Sequence, residues 1–353
     1  MQKKLIALAV AGLASSAVFA QSNVVISGTL RPSYDFVSIK DGAGTKTNSI
    51  TAMNSNTSVI GFKGSEDLGN GLSAIFSMTY NINFVNEDNA AIGAAGIQDN
   101  YVGLASKSWG SIKFGAINNA QKALFGSYDP FSFSIGDYNN IFTQGVNSRN
   151  SGAAYYQSPN WNGVSVHASY ALEKKGNNDF VEKDSKTGDD LSMYSLGADY
   201  KLGGLQLTAA MSQGNNEVAN VVGNDFKSQR YGAAYTFATK TKLFGVYGID
   251  KDFKNQGAGG SYKTWMIGAT HPITASLSLM GTYIKAGDDD TANTGAKNYN
   301  LGVKYALSKR TNVQGIYSSL KNDTGSARGF DSGYDIAAGG KGSAFSVRLQ
   351  HSF

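Results

Sequence analysis

The sequence predicts an all-β fold, a transmembrane antiparallel β-barrel of about 16 strands. Three observations predict it. Many segments alternate apolar and polar residues, which is the period of a strand with one apolar and one polar face. A unit the size of one hairpin recurs along the second half of the chain. No apolar run reaches the roughly 18 residues that a membrane helix needs, so any crossing has to be made by strands.

The last segment shows the alternation most clearly. Phe345, Val347, Leu349, His351 and Phe353 alternate with small, polar or charged residues up to the end of the chain. A strand that runs to the last residue would leave an unpaired edge, which invites aggregation unless it is covered. We therefore expect the last strand to pair with the first and to close a barrel.

The recurring unit begins at Leu196, Tyr231, Ile267 and Leu301, each followed by glycine, with starts 34 to 36 residues apart. Each unit has room for two strands of roughly 9–11 residues, the length that crosses a bilayer when tilted. Short turns, such as residues 201–204, alternate with long polar connections, such as residues 250–261. Outer-membrane barrels have this asymmetry between their two ends.

The same alternation predicts the remaining strands. Pro32 lies inside the first of them, which suits a position that donates no hydrogen bond. The rings at the strand ends beside short turns predict an aromatic girdle at a membrane boundary, and they belong to Tyr200, Tyr235, Phe237 and Tyr305. Besides the hairpin units, the predicted strands lie near residues 24–37, 55–65, 72–81, 98–105, 111–116, 149–157, 164–172 and 343–353.

The beginning of the chain predicts export. Lys3 and Lys4 precede a short apolar stretch, and small residues end it at Ala20, as in a secretory signal peptide. The expected division is a signal peptide over residues 1–20 and a barrel domain over residues 21–353. The chain has no cysteine, so an exported fold would depend on hydrogen bonds and packing. A formal net charge of +5 does not favour nucleic acid as a partner.

Several motifs resemble those of one family. Residues 60–76, with Glu66-Asp67-Leu68-Gly69 followed by Gly71-Leu72, resemble the second hairpin of Gram-negative general porins of the beta-proteobacterial type. Residues 101–104 and 109–115 resemble the next two strands, and Arg149 with residues 156–159 resembles the strand that follows the constriction loop. The resemblance covers the chain from its predicted signal peptide to its last residue.

The resemblance implies an outer-membrane homotrimer of sixteen-stranded barrels, each a water-filled channel for passive diffusion of small hydrophilic solutes and ions. It also implies that the third long loop, residues 117–148, folds into the lumen, where Asp129 and Asp137 would face basic residues of the wall. Phe353 resembles the family's assembly signal, so the implied partners include the barrel-assembly machinery, outer-membrane lipid and lipopolysaccharide.

Candidate lumen cations follow from the polar faces of the strands. Arg31, Lys63 and Lys113 each lie on such a face, and Arg149 is retained from the family pattern. Charged side chains in a narrow passage select which ions enter. The chain departs from the family at three wall positions, because relatives often carry arginine where this chain has Val59, Gln98 and Ala116. We therefore expect weak selectivity, with a mild preference for anions if Arg31, Lys63 or Lys113 reaches the level of the constriction.

Two other classes of function remain open on the sequence alone: an outer-membrane barrel enzyme of the lipase or protease type, and a secreted all-β binding module. The enzyme would need a nucleophile beside a base, and the pattern contains no Gly-x-Ser-x-Gly and no metal-binding histidine pair. We expect no cofactor and no metal. Residues 288–290, three consecutive aspartates, are interpreted as a solvated loop, with a divalent cation as the alternative.

Overall fold

The structure is a computed structural model that describes residues 23–85, 92–142, 149–174, 190–216, 225–251, 261–289 and 291–353. The predicted signal peptide lies outside the described residues. The strands of the described chain are β1 (Asn23–Leu30), β2 (Ser33–Lys40), β3 (Lys46–Asn54), β4 (Ser58–Gly69), β5 (Leu72–Ile82), β6 (Ile92–Ile97), β7 (Asn100–Ser106), β8 (Gly110–Asn118), β9 (Arg149–Gln157), β10 (Val164–Lys174), β11 (Asp190–Leu202), β12 (Leu205–Asn216), β13 (Asp225–Thr236), β14 (Lys242–Lys251), β15 (Tyr262–Pro272), β16 (Leu277–Ala286), β17 (Ala296–Ala306), β18 (Thr311–Asn322) and β19 (Lys341–Ser352).

The strands form one closed antiparallel sheet. Each strand from β9 to β19 pairs with its neighbours in the chain, and β19 then pairs with β2 and with the end of β1. Three spans each consist of two strands in line, namely β1 with β2, β3 with β4, and β6 with β7. The barrel therefore has sixteen spans, as the sequence predicts.

The two faces of the wall differ in polarity, in the sense opposite to a soluble protein. On β17, Leu301 is 64% exposed and Tyr305 is 50% exposed, whereas Asn298 and Asn300 on the other face are buried. The same pattern recurs around the sheet, where large apolar side chains are exposed on the outside. A secreted sandwich would bury its apolar face, so this distribution fits a wall with lipid outside and a polar interior.

Most predicted strands agree with the structure, and β9 has the predicted bounds. One prediction was wrong: the second span begins at Lys46, not near Ser55, because β3 precedes a break at residues 55–57. β3 is largely polar and therefore gives little alternating signal. Pro32 lies between β1 and β2, where its carbonyl accepts a hydrogen bond from the amide of Leu349 at 3.0 Å.

The third loop is the connection between β8 and β9, and its described part, residues 119–142, lies against the inner face of the wall. It contains the helix α1 (Ala120–Phe125) and two 3₁₀ turns, Gly126–Tyr128 and Tyr138–Asn140. The side chain of Asn119 caps α1 by accepting a hydrogen bond from the amide of Lys122 at 2.8 Å. This helix is too short to span a membrane, and nothing else helical in the described chain is long and apolar enough to do so.

Contacts from the third loop reach strands far apart in the sheet. Gln121 donates to the Ser228 hydroxyl at 2.9 Å, and the Tyr128 hydroxyl lies 2.9 Å from that of Thr208. Across the barrel, Arg348 of β19 donates to loop carbonyls. A short segment can contact β12, β13 and β19 of a closed sheet only from within it. The loop therefore occupies the lumen, as the family resemblance implies.

A second loop, residues 323–340 between β18 and β19, also packs against the third loop and will be called the last loop. Arg328 donates to the carbonyl of Ile141 at 2.6 Å, and the amide of Asp331 donates to the side chain of Asn140 at 2.7 Å. Phe330 and Ile336 are buried in the same apolar cluster as the third loop. From the sequence this segment is only a long, polar and charged connection, so its inward packing is known from the structure alone.

Candidate functional site

Irregularities in the wall meet at one level of the barrel. The first span breaks at Arg31–Pro32, the second at residues 55–57, and the fourth at Gln98–Asp99. β8 carries a register shift between Gly115 and Ile117. Such breaks interrupt the ladder and redirect side chains, and they are common next to functional sites.

Beside these breaks lies a cavity of about 290 Å³ between the wall and the third loop, called the wall cavity below. Its charged lining residues are Arg31, Lys63, Lys113 and Asp99, and Gln98 and Val59 also line it. Phe133, at the tip of the third loop, forms the facing side. The structure thus brings together three of the predicted cations, and it adds a carboxylate that the sequence analysis did not single out.

The three cations have different surroundings. Arg31 donates to the carbonyl of Thr57 at 2.7 Å, and its guanidinium carbon lies 4.8 Å from the centre of the Phe133 ring. The Lys113 ammonium lies 5.1 Å from the Tyr101 ring and 5.4 Å from the Tyr155 ring. Lys63 is exposed on the inner face. Aromatic faces attract cations, so these rings hold Arg31 and Lys113 beside the cavity without neutralising their charge.

Arg149 lies beside the wall cavity but is not among its lining residues. Its Nε lies 3.3 Å from Oδ1 of Asp99, and one terminal nitrogen donates to the carbonyl of Ile97 at 2.9 Å. The other terminal nitrogen donates to the side-chain oxygen of Gln98. The guanidinium is thus bound on all three nitrogens to residues at the break in the fourth span, so the predicted placement of Arg149 in the constriction itself stays a prediction.

The tip of the third loop is held in an unusual backbone conformation. Phe133 has φ +60°, a left-handed value that side chains other than glycine adopt at a cost. Arg348 donates to its carbonyl at 2.8 Å, and a carboxylate oxygen of Asp137 accepts from its amide at 2.7 Å. These two contacts hold the ring towards Arg31.

Asp129 and Asp137, predicted to face the passage, are buried within the third loop instead. Asp129 accepts from the amides of Phe131 at 2.9 Å and Tyr138 at 3.1 Å. Asp137 accepts from the amide of Asn139 at 2.9 Å besides that of Phe133. Both carboxylates bond to the loop backbone because aspartate commonly closes turns with amides two residues ahead. They shape the loop tip and add no exposed charge to the cavity.

Burial changes the acidity of both groups. It raises the pKa of Asp129 to about 6, although hydrogen bonds from Tyr138, Phe131 and Ser132 act in the opposite direction. Burial, followed by the neighbouring carboxylates of Asp129 and Asp331, raises the pKa of Asp137 well above its ordinary value. The loop therefore stores two carboxylates whose charged forms are disfavoured.

Phe353 lies at the closure of the barrel. Its amide donates to the carbonyl of Gly28 at 3.1 Å, and the amide of Gly28 donates back at 3.0 Å. A Cβ on residue 28 would lie 2.5 Å from the Phe353 ring, so the ring packs where only glycine leaves room. These contacts are compatible with the predicted role of Phe353 in assembly, which stays a prediction.

The predicted aspartate loop shows internal bonds. Asp288 accepts from the amide of Gly295 at 2.9 Å, and Asp289 accepts from the Thr294 hydroxyl at 2.9 Å. Asp290 lies outside the described residues. Within the part of the chain that the structure describes, no cluster of histidine and carboxylate side chains could hold a metal ion.

Sequence reasoning missed Asp99 and Phe133. Asp99 has the same parity as Tyr101, so the alternation of the strand would have placed it on the inner face. No comparable signal exists for Phe133, because its position depends on how the third loop folds.

Comparisons with known proteins agree with this architecture. The family model described as Gram-negative porin matches residues 7–325. The chain is 30% identical over 371 aligned residues to outer membrane porin protein 32 of Delftia acidovorans, with 100% of both chains covered. It is 27% identical over 335 aligned residues to an outer membrane porin protein of Bordetella pertussis, covering 83% of this chain and 81% of that protein.

Solved structures share the fold at lower identity. The anion-selective porin from Comamonas acidovorans superposes with a TM-score of 0.76 at 24% identity, covering 94% of this chain and 100% of that one. OmpF of Salmonella typhi, solved in complex with daunomycin, superposes with a TM-score of 0.70 at 18% identity, covering 94% of this chain and 97% of that one.

Proposed function

The chain belongs to the Gram-negative porin family, and on this basis we propose how it selects solutes. It is a channel protein of the bacterial outer membrane and not an enzyme. Small hydrophilic solutes and ions diffuse through the water-filled lumen and pass between the third loop and the wall. The third loop sets the size limit, because it lies across the inner face of strands on both sides of the barrel.

The charge of the wall cavity is the observation that supports a selectivity for anions over cations. Arg31, Lys63 and Lys113 line it with one carboxylate, Asp99. Three cations beside one anion give a positive local potential, which raises the local concentration of anions. The channel therefore has a mild anion preference. It is mild because the chain has Val59, Gln98 and Ala116 at positions where the family resemblance implies arginine.

The sign agrees with that of the anion-selective porin from Comamonas acidovorans, which shares the fold. In the present chain the sign follows from the excess of cations on the wall. Screening by salt would weaken the preference, because the Debye length falls from about 10 Å at 0.1 M to about 3 Å at 1 M.

OmpT of Vibrio cholerae, which shares the fold, has been solved in a trimer form, and this supports a trimeric assembly. We propose that this chain is a homotrimer, that its exposed apolar girdle contacts outer-membrane lipid and lipopolysaccharide, and that the last strand with Phe353 is recognised by the barrel-assembly machinery. Residues 1–20 act as a signal peptide that is removed on export, which leaves residues 21–353 as the mature barrel.

Liposome swelling tests the diffusion channel. Purified trimers are reconstituted into liposomes, and swelling is followed in isotonic sugars of increasing size. We expect swelling that falls steeply with sugar size, while empty liposomes do not swell. Equal exclusion of the smallest sugar in the presence and absence of the protein would contradict a water-filled diffusion channel.

A further inference from the structure

The charges around the wall cavity form two groups. The first group consists of Arg31, Lys63 and Lys113, which line the cavity. Arg31 and Lys113 also lie over aromatic rings. Asp99 and Arg149 form an ion pair with 3.3 Å between Oδ1 and Nε. Of this pair, only Asp99 is among the lining residues.

The pair is asymmetric in its exposure. The side chain of Asp99 is 37% exposed, whereas that of Arg149 is 18% exposed. Oδ1 of Asp99 also accepts from the amide of Asn118 at 3.0 Å, which fixes the carboxylate at the junction of β8 and the third loop. Arg149 therefore lies behind Asp99 as seen from the cavity, with its guanidinium bound to residues 97–99.

An ion passing through the cavity experiences the pair mainly through its carboxylate. Opposite charges in contact cancel at distances larger than their separation, while the nearer charge dominates at short range. Arg149 thus adds little to the attraction of anions, and Asp99 subtracts from that of the three lining cations.

We propose that Asp99 is a specificity-determining residue of the channel, which neutralises Arg149 and moderates the anion preference produced by Arg31, Lys63 and Lys113. This inference rests on the proposed diffusion channel. It assigns the weakness of the selectivity to one carboxylate in addition to the missing wall arginines.

The test is the zero-current potential of single channels in planar bilayers under a potassium chloride gradient at low ionic strength. Asp99→Asn should raise the chloride-to-potassium permeability ratio by about twofold or more, because one unit of opposing charge is removed from the cavity. Arg149→Gln should lower the ratio, because Asp99 then acts without its partner. The double variant D99N/R149Q, which has the wild-type net charge, should give a ratio between those of the wild type and Asp99→Asn, because the removed carboxylate lies nearer the cavity than the removed guanidinium.

Asp99→Glu is the matched control, since it keeps the charge and should keep the wild-type ratio. A second route avoids any dependence on folding of the asparagine variant. The chain has no cysteine, so Asp99→Cys introduces a single thiol. Labelling it in the open channel with a sulfonate-bearing thiol reagent restores one negative charge and should shift the potential back towards the wild-type value within one recording.

The possible outcomes distinguish failure of the proposed diffusion channel from failure of the proposed role of Asp99. If none of the variants and not even the wild type forms ion-conducting steps, the diffusion channel itself fails. If channels conduct but neither Asp99→Asn nor labelling of the thiol moves the zero-current potential at low salt, the role of Asp99 is overturned and the proposed function stands.

Discussion

At the scale of single residues, Arg149 is a cation on the inner face that is bound to its neighbours and does not line the wall cavity. Its guanidinium is bound to residues 97–99, while Arg31, Lys63 and Lys113 line the cavity. Replacing Arg149 by an acid should therefore have a larger effect than losing one cation, because it leaves two adjacent carboxylates without a counter-charge.

Arg149→Glu should shift the zero-current potential towards cations, with at least about a twofold change in permeability ratio at low salt. Gln98→Arg should shift it towards anions, because residue 98 lines the cavity itself. Both shifts should shrink as salt is raised. Bilayer recordings at several salt concentrations measure both shifts. An unchanged zero-current potential for Arg149→Glu at low salt would mean that the charge of residue 149 does not affect ion selectivity.

A second prediction concerns the pH dependence of the third loop, which contains the buried carboxylate of Asp129. Burial raises its pKa to about 6 in the folded loop, above the ordinary value of about 3.9. Folding therefore favours the protonated form, so its stabilising effect on the loop is complete below about pH 4 and is lost as the pH rises through about 6. Protection of the amides of Phe131 and Tyr138 against hydrogen exchange, corrected for the intrinsic rate, should fall over this range.

Asp129→Asn should reduce that pH dependence, since the amide does not ionise. Asp67→Asn is a suitable control, because Asp67 also accepts from a turn amide, that of Gly69 at 2.9 Å, but is exposed. The same loss of protection between pH 4 and 7 in wild type and Asp129→Asn would contradict the assignment.

Residue roles on the wall were partly predictable. A period of two places Arg31, Lys63 and Lys113 on the inner face without a structure. The orientation of Asp129 and Asp137 was not predictable in this way, because side chains in a loop follow turns and buried contacts. Asp129-Pro130 is, however, a sequence that favours a turn, and this local signal agrees with the observed role of Asp129 in the loop backbone.

At the scale of elements, we propose that the third loop limits the passage, because it lies inside the barrel. Deleting residues 129–138 would remove Phe133 and both buried aspartates, and it should raise unit conductance and the size limit for sugars. Phe133→Gly should raise conductance less, because it removes the ring and relieves the left-handed backbone while the loop stays. Single-channel conductance and liposome swelling measure both variants. Unchanged values in the deletion would mean that the loop does not limit flow.

Strands were predictable where alternation was strong. β10 followed its alternating apolar positions, whereas β3 was missed because its sequence is mostly polar. The inward packing of the last loop was not predictable, because it depends on pairings such as that of Arg328 with the Ile141 carbonyl, far apart in the chain. Periodicity reports the face of an element and carries no information on long-range loop contacts.

At the scale of the whole molecule, closure depends on the end of β19. Deleting Phe353, or replacing it by aspartate, should lower the amount of folded trimer, since it removes the ring above Gly28. Deletion also removes two backbone hydrogen bonds, each contributing about 1 kcal/mol to the free energy of unfolding. Heat-modifiable mobility in gels measures the folded trimer. Phe353→Tyr is the control that retains a ring, and normal trimer from the deletion would contradict a role in assembly.

The fold class followed from the sequence because a sixteen-span barrel is built from local repeats. Each hairpin unit carries its own alternation, and the short and long connections assign the two ends. Closure itself was inferred from the terminal alternation, and the pairing of β19 with β1 and β2 agrees with it.

The most direct test of the central claim is the zero-current potential of the purified wild-type trimer in a planar bilayer under a potassium chloride gradient. A loop-narrowed, water-filled channel with an excess of cations on its wall predicts discrete conductance steps and a mild anion preference that declines as the salt concentration rises. A preference for cations at low salt, or the absence of conductance steps from correctly folded protein, would contradict it.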